Sequence, residues 1–433
     1  MVALRQGLMG RLTTGWLFAA CACSSGAPPG NGPGPSGDES APGEFISAGK
    51  ERVANPEVPA SDLEAVAAGN TDFGAELYRE LREPGKNLFF SPYSVSQALA
   101  MVYAGARGET ASQMGQGLRF SLPQDRLHPA MNALNQALLA PSASTGQATP
   151  PQFHGVNATW GQKGFAFQPG FLDVLALHYG TGMHVADFST NPSGIREDIN
   201  TWVWAQTQER IKDLLPPTAV TPLTRLILVN ALHFKAAWQS PFWEKGTQDA
   251  PFHTLEGTTR QVPMMRGGGA RHMKGEGFEA LALEYVGGGF RMLIVLPDSG
   301  RFEEIESRLS ADFLDGIRGA LTSRQEDVHL PRFEVETSAS LIPKLRELGI
   351  RDLFDEHADL SGVSSAESLV ISSIEHKAFV SVNEKGTEAA AATAVVAGPP
   401  TMPVPFLVDR PFLFLIEHVS TKNVVFLGRY MTP

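Results

Sequence analysis

Residues 383–405, NEKGTEAAAATAVVAGPPTMPVP, form the most unusual stretch of the 433-residue chain. Its Ala-rich part, EAAAATA, has high helix propensity, so composition alone predicts a surface helix with a Pro-rich loop behind it. A second interpretation fits the details better. From Gly386 to Ala397 the segment contains no Pro, no large side chain and a single charge, on Glu388. Such a segment is compatible with an exposed loop and with a strand inserted between two existing strands.

The alternation of residues in this stretch supports the second interpretation. In an extended chain every second side chain lies on the same face. That face would carry only small side chains, those of Thr387, Ala389, Ala391, Thr393, Val395 and Ala397. Gly386 precedes them and can adopt backbone angles that other residues avoid, so it would serve as the hinge of the inserting segment.

Strand-like and helix-like patterns are interspersed on both sides of this stretch. Residues 225–234 (RLILVNALHF), 291–296 (RMLIVL), 412–419 and 423–429 are strand-like, whereas residues 309–320 and 339–348 are helix-like. A capped helix is predicted from Asp62, and a second, buried helix follows Ser91-Pro92. Because the two types do not alternate strictly, the fold class is predicted to be α+β.

Composition and motifs exclude several function classes. The net charge of −11 and the lack of Lys/Arg runs argue against a nucleic-acid partner. The chain has no Gly-x-Ser-x-Gly elbow, no His-Glu-x-x-His, no Walker loop and no cysteine pair with metal-ligand spacing. The missing motifs do not by themselves exclude an enzyme, but they remove each specific enzyme hypothesis; we predict no catalytic residue, no metal, no cofactor and no enzyme activity.

The N-terminus is typical of an exported protein. Arg5 and Arg11 give a positively charged start, the short apolar stretch Leu12–Ala20 (LTTGWLFAA) comes next, and Cys21 follows. This pattern resembles a bacterial lipoprotein signal in which Cys21 receives the lipid. Two alternatives are ordinary cleavage after Ala22 and a wrongly assigned start codon without export. We expect a signal segment over residues 1–22, a disordered Gly/Pro/Ser-rich tether over 23–61, and an extracellular or cell-envelope location.

The stretch around Gly386 closely resembles the hinge of inhibitory serpins. Further segments resemble this family in order along the chain: NLFFSPYSVSQALAMVYAGARGET (87–110), LVNALHFKAAWQSPF (228–242), VPMM (262–265), ADLSGV (358–363), IEHKAFVSVNEKG (374–386) and FLVDRPFLF (406–414). The resemblance covers residues 62–433. It implies one serpin domain with three β-sheets, eight or nine helices and an exposed reactive-centre loop.

The resemblance also implies a mechanism. A serine protease would attack the loop as a substrate and form an acyl-enzyme. The cleaved hinge would then insert into the main sheet, and this insertion would trap the acyl-enzyme. The hinge residues carried over are Glu384, Gly386, Thr387, Glu388, Ala389, Ala390, Ala391 and Ala392. The alternative is a non-inhibitory serpin, a binding or storage module. Non-inhibitory members tend to have Pro, charged or bulky residues in the hinge, whereas this chain has only alanine from Ala389 to Ala392.

Other positions take their expected roles from the same resemblance. Ser91, Ser94, Asn230 and His376 match the polar cluster under the main sheet, where the sheet opens. Trp238 matches the tryptophan where insertion starts, and Arg332 matches the partner of Glu384 in a salt bridge near the hinge. Asn157 begins a glycosylation sequon, which we do not expect a protein with a bacterial-type signal to use.

The family register places the cleaved bond between Pro400 and Thr401. Proline before the bond is unfavourable for most serine proteases, so the bond after Thr401 and bonds after Val396 or Ala397 remain alternatives. No Lys or Arg occurs from Gly386 to Asp409. We therefore expect a monomeric inhibitor of an elastase-like or subtilisin-like protease rather than a trypsin-like one.

Overall fold

The computed structural model describes residues 41–140, 151–325, 327–365, 369–387 and 405–433. The predictions for Cys21, for the hinge residues Glu388 to Ala392 and for the bond between Pro400 and Thr401 lie outside these residues. The first described residues, from Ala41, fall inside the segment predicted to be a tether.

Of the two predicted capping signals, the one at Ser91-Pro92 is confirmed and the one at Asp62 is not, because the first helix already begins at Ala60, after Pro59, without a side-chain cap. Ser91 caps the second helix, where its hydroxyl accepts a hydrogen bond from the Ser94 N–H at 3.1 Å, and Pro92 occupies the first turn. The nine α-helices of the described part are α1 (Ala60–Leu81), α2 (Pro92–Tyr103), α3 (Gly108–Gly117), α4 (Gln124–Leu139), α5 (Pro169–Val174), α6 (Pro192–Gln206), α7 (Phe302–Ser307), α8 (Ala311–Ala320) and α9 (Ile342–Glu347). A π-helical turn, Leu175–Tyr179, continues α5.

Eighteen strands lie in the described residues. They are β1 (Glu44–Ile46), β2 (Leu88–Phe90), β3 (Gln152–Gln162), β4 (Met183–Ala186), β5 (Leu226–Ala237), β6 (Gln248–His253), β7 (Thr259–Gly267), β8 (Ala270–Lys274), β9 (Phe278–Glu284), β10 (Phe290–Pro297), β11 (Ser323–Gln325), β12 (Val328–Pro331), β13 (Phe333–Ser340), β14 (Ile371–Asn383), β15 (Gly386–Thr387), β16 (Phe406–Leu407), β17 (Phe412–His418) and β18 (Val424–Tyr430). The helix predicted for 339–348 is shorter than expected, because β13 continues to Ser340.

Three sheets organise these strands within the described residues. The main sheet has the order β1-β4-β3-β5-β15-β14-β13, the second sheet β11-β8-β9-β10-β17-β18-β2, and the third sheet β16-β12-β7-β6. The predicted α+β class, the three sheets and the helix number are therefore confirmed.

Strand β5 lies at the centre of the main sheet and is buried on both faces. Leu226 and Leu228 face the large core shared with α2 and the second sheet. Ile227 and Val229 face a smaller core on the opposite side, which includes Ile199 of α6. This double burial explains the nearly continuous apolar run of the strand.

Residues 41–59, which we call the N-terminal strap, do not behave as the predicted tether. Glu44–Ile46 pairs antiparallel with β4 and so adds an edge strand to the main sheet. The Trp160 indole N–H donates to the carbonyl of Pro42 at 2.9 Å. Phe45 and Ile46 are less polar than the residues before Ala41, and the edge of β4 offers backbone groups that need partners.

Among the described helices, none is long and apolar enough to cross a membrane.

Candidate functional site

The site lies where β5 and β14 meet at the centre of the main sheet. The two strands run parallel and pair directly from Ile371 opposite Leu226 to Phe379 opposite His233. Beyond that stretch β15 lies between them, with Thr387 opposite Ala236 of β5 and opposite Val382 of β14. The sheet is thus closed along most of this junction and already parted at one end by a two-residue strand.

Gly386 begins this short strand in a place where no side chain fits. A Cβ atom added there would lie 2.0 Å from the carbonyl oxygen of Ala236. The close approach of the two backbones therefore requires glycine, which gives a physical reason for the residue at the predicted hinge.

Thr387 points into the core, as the alternation of the sequence predicted for the inward face. It is fully buried, and its hydroxyl lies 2.7 Å from that of Tyr285. The Tyr285 ring stacks on Trp238 with 4.5 Å between centroids, and burial raises the pKa of its hydroxyl well above the usual range. Sequence reasoning missed Tyr285, because a tyrosine distant along the chain gives no local sign of contact with the hinge.

Trp238 holds the turn that leads from β14 into β15. Its indole N–H donates to the carbonyl of Asn383 at 2.9 Å, and its backbone N–H donates to that of Lys385 at 2.9 Å. The backbone N–H of Phe242 donates to the carbonyl of Glu384, also at 2.9 Å. These bonds fix the direction in which the chain enters the gap between β5 and β14.

Glu384 is a buried carboxylate at this turn. It accepts hydrogen bonds from the guanidinium of Arg332 and from the hydroxyl of Thr247, each at 2.5 Å. Burial by itself raises the pKa of a carboxyl group, but the bonds from Arg332 and Thr247 outweigh it and the pKa of Glu384 is lowered. The structure thus brings Arg332 and Glu384 together, and it adds Thr247, which the sequence did not indicate.

The polar cluster predicted under the sheet is assembled from α2, β5 and β14. The Asn230 amide N–H donates to the Ser94 hydroxyl, and its carbonyl oxygen contacts Nδ1 of His376. The Ser91 backbone N–H donates to Nε2 of His376 at 3.2 Å. All four residues are buried. His376 and Asn230 are also opposite each other in the parallel register, so the cluster joins the two strands side chain to side chain.

These contacts define one protonation state of His376. Nε2 accepts a hydrogen bond and must carry no proton, so Nδ1 carries the proton and donates a hydrogen bond to the side-chain oxygen of Asn230. Burial lowers the pKa of His376 to about 3. A second proton, on Nε2, would face the Ser91 N–H and break the cluster.

Asn157 of β3 also belongs to this cluster, although the sequence suggested only a glycosylation sequon. Its amide N–H donates to the carbonyl of Ser94 at 3.1 Å, and it lies opposite Asn230 in the antiparallel register. If the pairing of β3 with β5 is known, two asparagines opposite each other indicate a polar cluster, but one sequence alone does not reveal that pairing.

In the part of the chain that the structure describes, no group of three or more His, Cys, Asp or Glu side chains could hold a metal ion.

The state of His376 predicts a loss of stability in acid. A histidine with a lowered folded pKa contributes stability that is complete above its unfolded pKa of about 6.5 and is lost as the pH falls toward the folded value. Between pH 6.5 and 4.5 the loss from one such residue is about 2–3 kcal/mol. We expect the thermal midpoint to fall over this range, and to fall less steeply in the His376→Asn variant.

The control for this experiment is His357→Asn, since His357 is exposed and its pKa is raised by Asp355. His128 and His418 also have lowered pKa values, about 3 and about 4, so part of the acid effect will persist in every variant. Identical pH profiles for the wild type and His376→Asn would contradict the assignment.

Comparisons with known proteins agree with this architecture. The profile of the family described as "Serpin (serine protease inhibitor)" matches residues 68–433. The leukocyte elastase inhibitor of Equus caballus is 38% identical, over 86% of this chain and its own full length. A serpin-like protein of Thermococcus kodakarensis is 38% identical, over 83% of this chain and 84% of its own length.

Solved structures show the same fold. Uncleaved ovalbumin superposes with a TM-score of 0.77 at 30% identity, covering 85% of this chain and all of ovalbumin. Thyroxine-binding globulin in complex with thyroxine gives a TM-score of 0.75 at 31% identity, covering 85% of this chain and 99% of its own. With a family profile spanning most of its length and relatives well above 30% identity, the chain belongs to the serpin family.

Proposed function

We propose that this protein inhibits serine proteases as a suicide substrate, by loop cleavage followed by insertion of the hinge into the main sheet. The observation that carries the proposal is β15, in which Gly386 and Thr387 already lie between β5 and β14. The next inward residues by alternation are Ala389 and Ala391, and their side chains are small enough to follow Thr387 along the same path.

The number of backbone hydrogen bonds favours the inserted state of the hinge. Further insertion breaks the parallel ladder between β5 and β14, together with the contact of His376 with Asn230. In exchange, each inserted residue joins two antiparallel ladders, one on each side. One row of backbone hydrogen bonds is lost and two are gained, at about 1 kcal/mol net for each bond. The uncleaved state is therefore held by a barrier, as expected for a kinetically trapped protein.

The target we propose is an elastase-like or subtilisin-like protease. Several relatives carry the name leukocyte elastase inhibitor, including those of Equus caballus and Bos taurus. The absence of Lys and Arg from Gly386 to Asp409 leaves a trypsin-like pocket without its cationic partner. Pro400 and Thr401 remain our proposed reactive bond. The alternative function, a binding or storage module, would require a loop that is cut without trapping the protease.

A panel of proteases tests the proposal directly. We expect elastase-like or subtilisin-like enzymes to form a complex that survives denaturing electrophoresis. Trypsin-like enzymes should form none, because the specificity pocket of the protease must match the residue before the cleaved bond. N-terminal sequencing of the released C-terminal peptide identifies the cut bond, with Thr401 as the expected first residue. Cleavage by every class without a covalent complex would overturn the inhibitory function. Efficient trapping of trypsin would overturn the proposed target class.

The buried position of Thr387 gives a second test. Thr387→Arg places a charge against Tyr285 in the core, and burial of an unpaired charge is costly. We expect the variant to be cleaved as a substrate, with the trapped fraction reduced by about tenfold or more, since 1.4 kcal/mol already corresponds to a factor of ten. The matched control is Thr258→Arg, at an exposed threonine. Equal trapping by wild type and Thr387→Arg would show that insertion does not pass through this position.

We further propose that the protein is exported and held at the cell envelope through Cys21. The support is the sequence alone: a basic start, a short apolar stretch and small residues before the cysteine. Cys21→Ser is expected to move the protein from the membrane fraction to the soluble or culture fraction, with Cys23→Ser as the matched control. A mature N-terminus at an unmodified Cys23 would favour plain secretion.

A further inference from the structure

The first half of the N-terminal strap fits closely against the edge of the main sheet. Besides the pairing of β1 with β4, two glycines allow the backbones to meet. A Cβ on Gly43, whose φ is +99°, would lie 2.4 Å from the Val185 carbonyl oxygen, and a Cβ on Gly182 would lie 2.2 Å from that of Ile46. The edge of β4 is thus shaped to accept this segment.

The second half of the strap is bound to α4 and to the π-helical turn. The Arg52 guanidinium donates to the side-chain oxygens of Asn132 and Asn135, both at 2.8 Å. The Val53 N–H donates to the carbonyl of Leu177 at 2.9 Å, and the Val53 carbonyl accepts from Asn132 at 2.9 Å. Arg52 is partly buried, and burial lowers the pKa of its guanidinium. The bonds to the two asparagines therefore define a specific anchor in the middle of the strap.

Further polar contacts continue along the same path. Lys50 forms an ion pair with Asp173 of α5 at 2.8 Å. The Asn55 N–H donates to the Gln136 side chain at 2.9 Å, and the Gln136 amide donates back to the Val53 carbonyl at 2.8 Å. The strap is thus bound along its length from Pro42 to Asn55, before the chain enters α1 at Ala60.

The two halves of the strap attach to different parts of the molecule: β1 pairs with β4 of the main sheet, whereas Arg52 is bound to α4. Asp173 and Leu177, which also bind the second half, lie in the connection between β3 and β4. Strands β1, β4, β3 and β5 form one hydrogen-bonded block on one side of β15, and β14 with β13 form the other. Helix α4 packs on α1, and α1 packs on α9, which follows β13, and on β18 of the second sheet. Helix α2 packs on both α1 and α4 and also contacts β3 and β5. Separation of β5 from β14 would carry β1 away from Arg52 if the β1-β4-β3-β5 block moves while α4 stays with α1.

We propose that the N-terminal strap is a brake on the opening of the main sheet, with β1 fixed to the mobile block and Arg52 fixed to α4. This inference rests on the proposed function in one respect, that β5 and β14 separate when the hinge inserts. Opening then strains or releases the strap, so the strap raises the barrier that keeps the uncleaved form closed. By covering the edge of β4, it also prevents a strand of a second copy from adding there.

Two point variants in the full chain test the brake at its two ends. Gly43→Ala drives a Cβ into the β4 backbone, and Arg52→Ala removes the bonds to Asn132 and Asn135. The matched control is Gly49→Ala, because Gly49 also lies in the strap with a positive φ of +65°, but its Cβ would meet nothing within 4 Å. The measurement is hydrogen exchange of the backbone amides in 226–233 and 371–379, in the absence of protease.

We expect these amides to exchange roughly fivefold to tenfold faster in Gly43→Ala and Arg52→Ala, since loss of one or two hydrogen bonds changes an opening equilibrium by about that factor. In Gly49→Ala and in the wild type they should exchange at equal rates. The same two variants should lose native protein faster on mild heating, seen as oligomers or as an inactive monomer by size exclusion.

The outcomes separate the brake from the inhibitory function. Unchanged exchange at the β5–β14 junction in both variants would overturn the brake, whether or not the protein inhibits a protease. Faster exchange only in residues 183–186, at the edge of β4, would also overturn it, because the strap would then protect only its own contact. Faster exchange at the junction in a protein that traps no protease would support the brake and refute the proposed function.

Discussion

The parallel pairing of β5 with β14 is the constraint on which the rest of the structure depends. It closes the centre of the main sheet along the stretch from Leu226 to His233, and it ends where β15 enters. The paired strands are buried on the core side, so their backbone groups have no water to replace a lost partner. Separation is therefore costly until another strand supplies the missing bonds.

The residues around this junction act in opposing directions. Asn230, His376, Ser91 and Ser94 keep the strands together through a network that holds only while the histidine is neutral. Gly386, Thr387 and Trp238 hold a two-residue strand between β5 and β14 at the end of the junction. The closed sheet with this short inserted strand is the arrangement that the proposed mechanism requires.

Sequence reasoning reached this site because the relevant residues lie in stretches with strong local patterns. The small-residue alternation after Gly386 indicated a segment that can insert, and the family motifs located Ser91, Asn230, Trp238 and His376. Residues whose role comes from packing across distant segments were missed, among them Tyr285 against Thr387 and Thr247 against Glu384. The strap was missed for a related reason: the residues after Ala41 look like a continuation of the tether, and only the free edge of β4 makes Glu44–Ile46 a strand.

The most direct test of this account is the thermal midpoint of the protein before and after the reactive loop is cut by a protease that leaves the body intact. Insertion of the cut hinge should add about ten backbone hydrogen bonds at ~1 kcal/mol each and raise the midpoint by roughly 10–20 °C. Cut Thr387→Arg should show a much smaller rise, since the arginine would keep the start of the hinge out of the buried position that Thr387 occupies in the wild type. An unchanged midpoint after clean cleavage of the wild type would contradict the claim that the uncleaved sheet is held short of its most stable form.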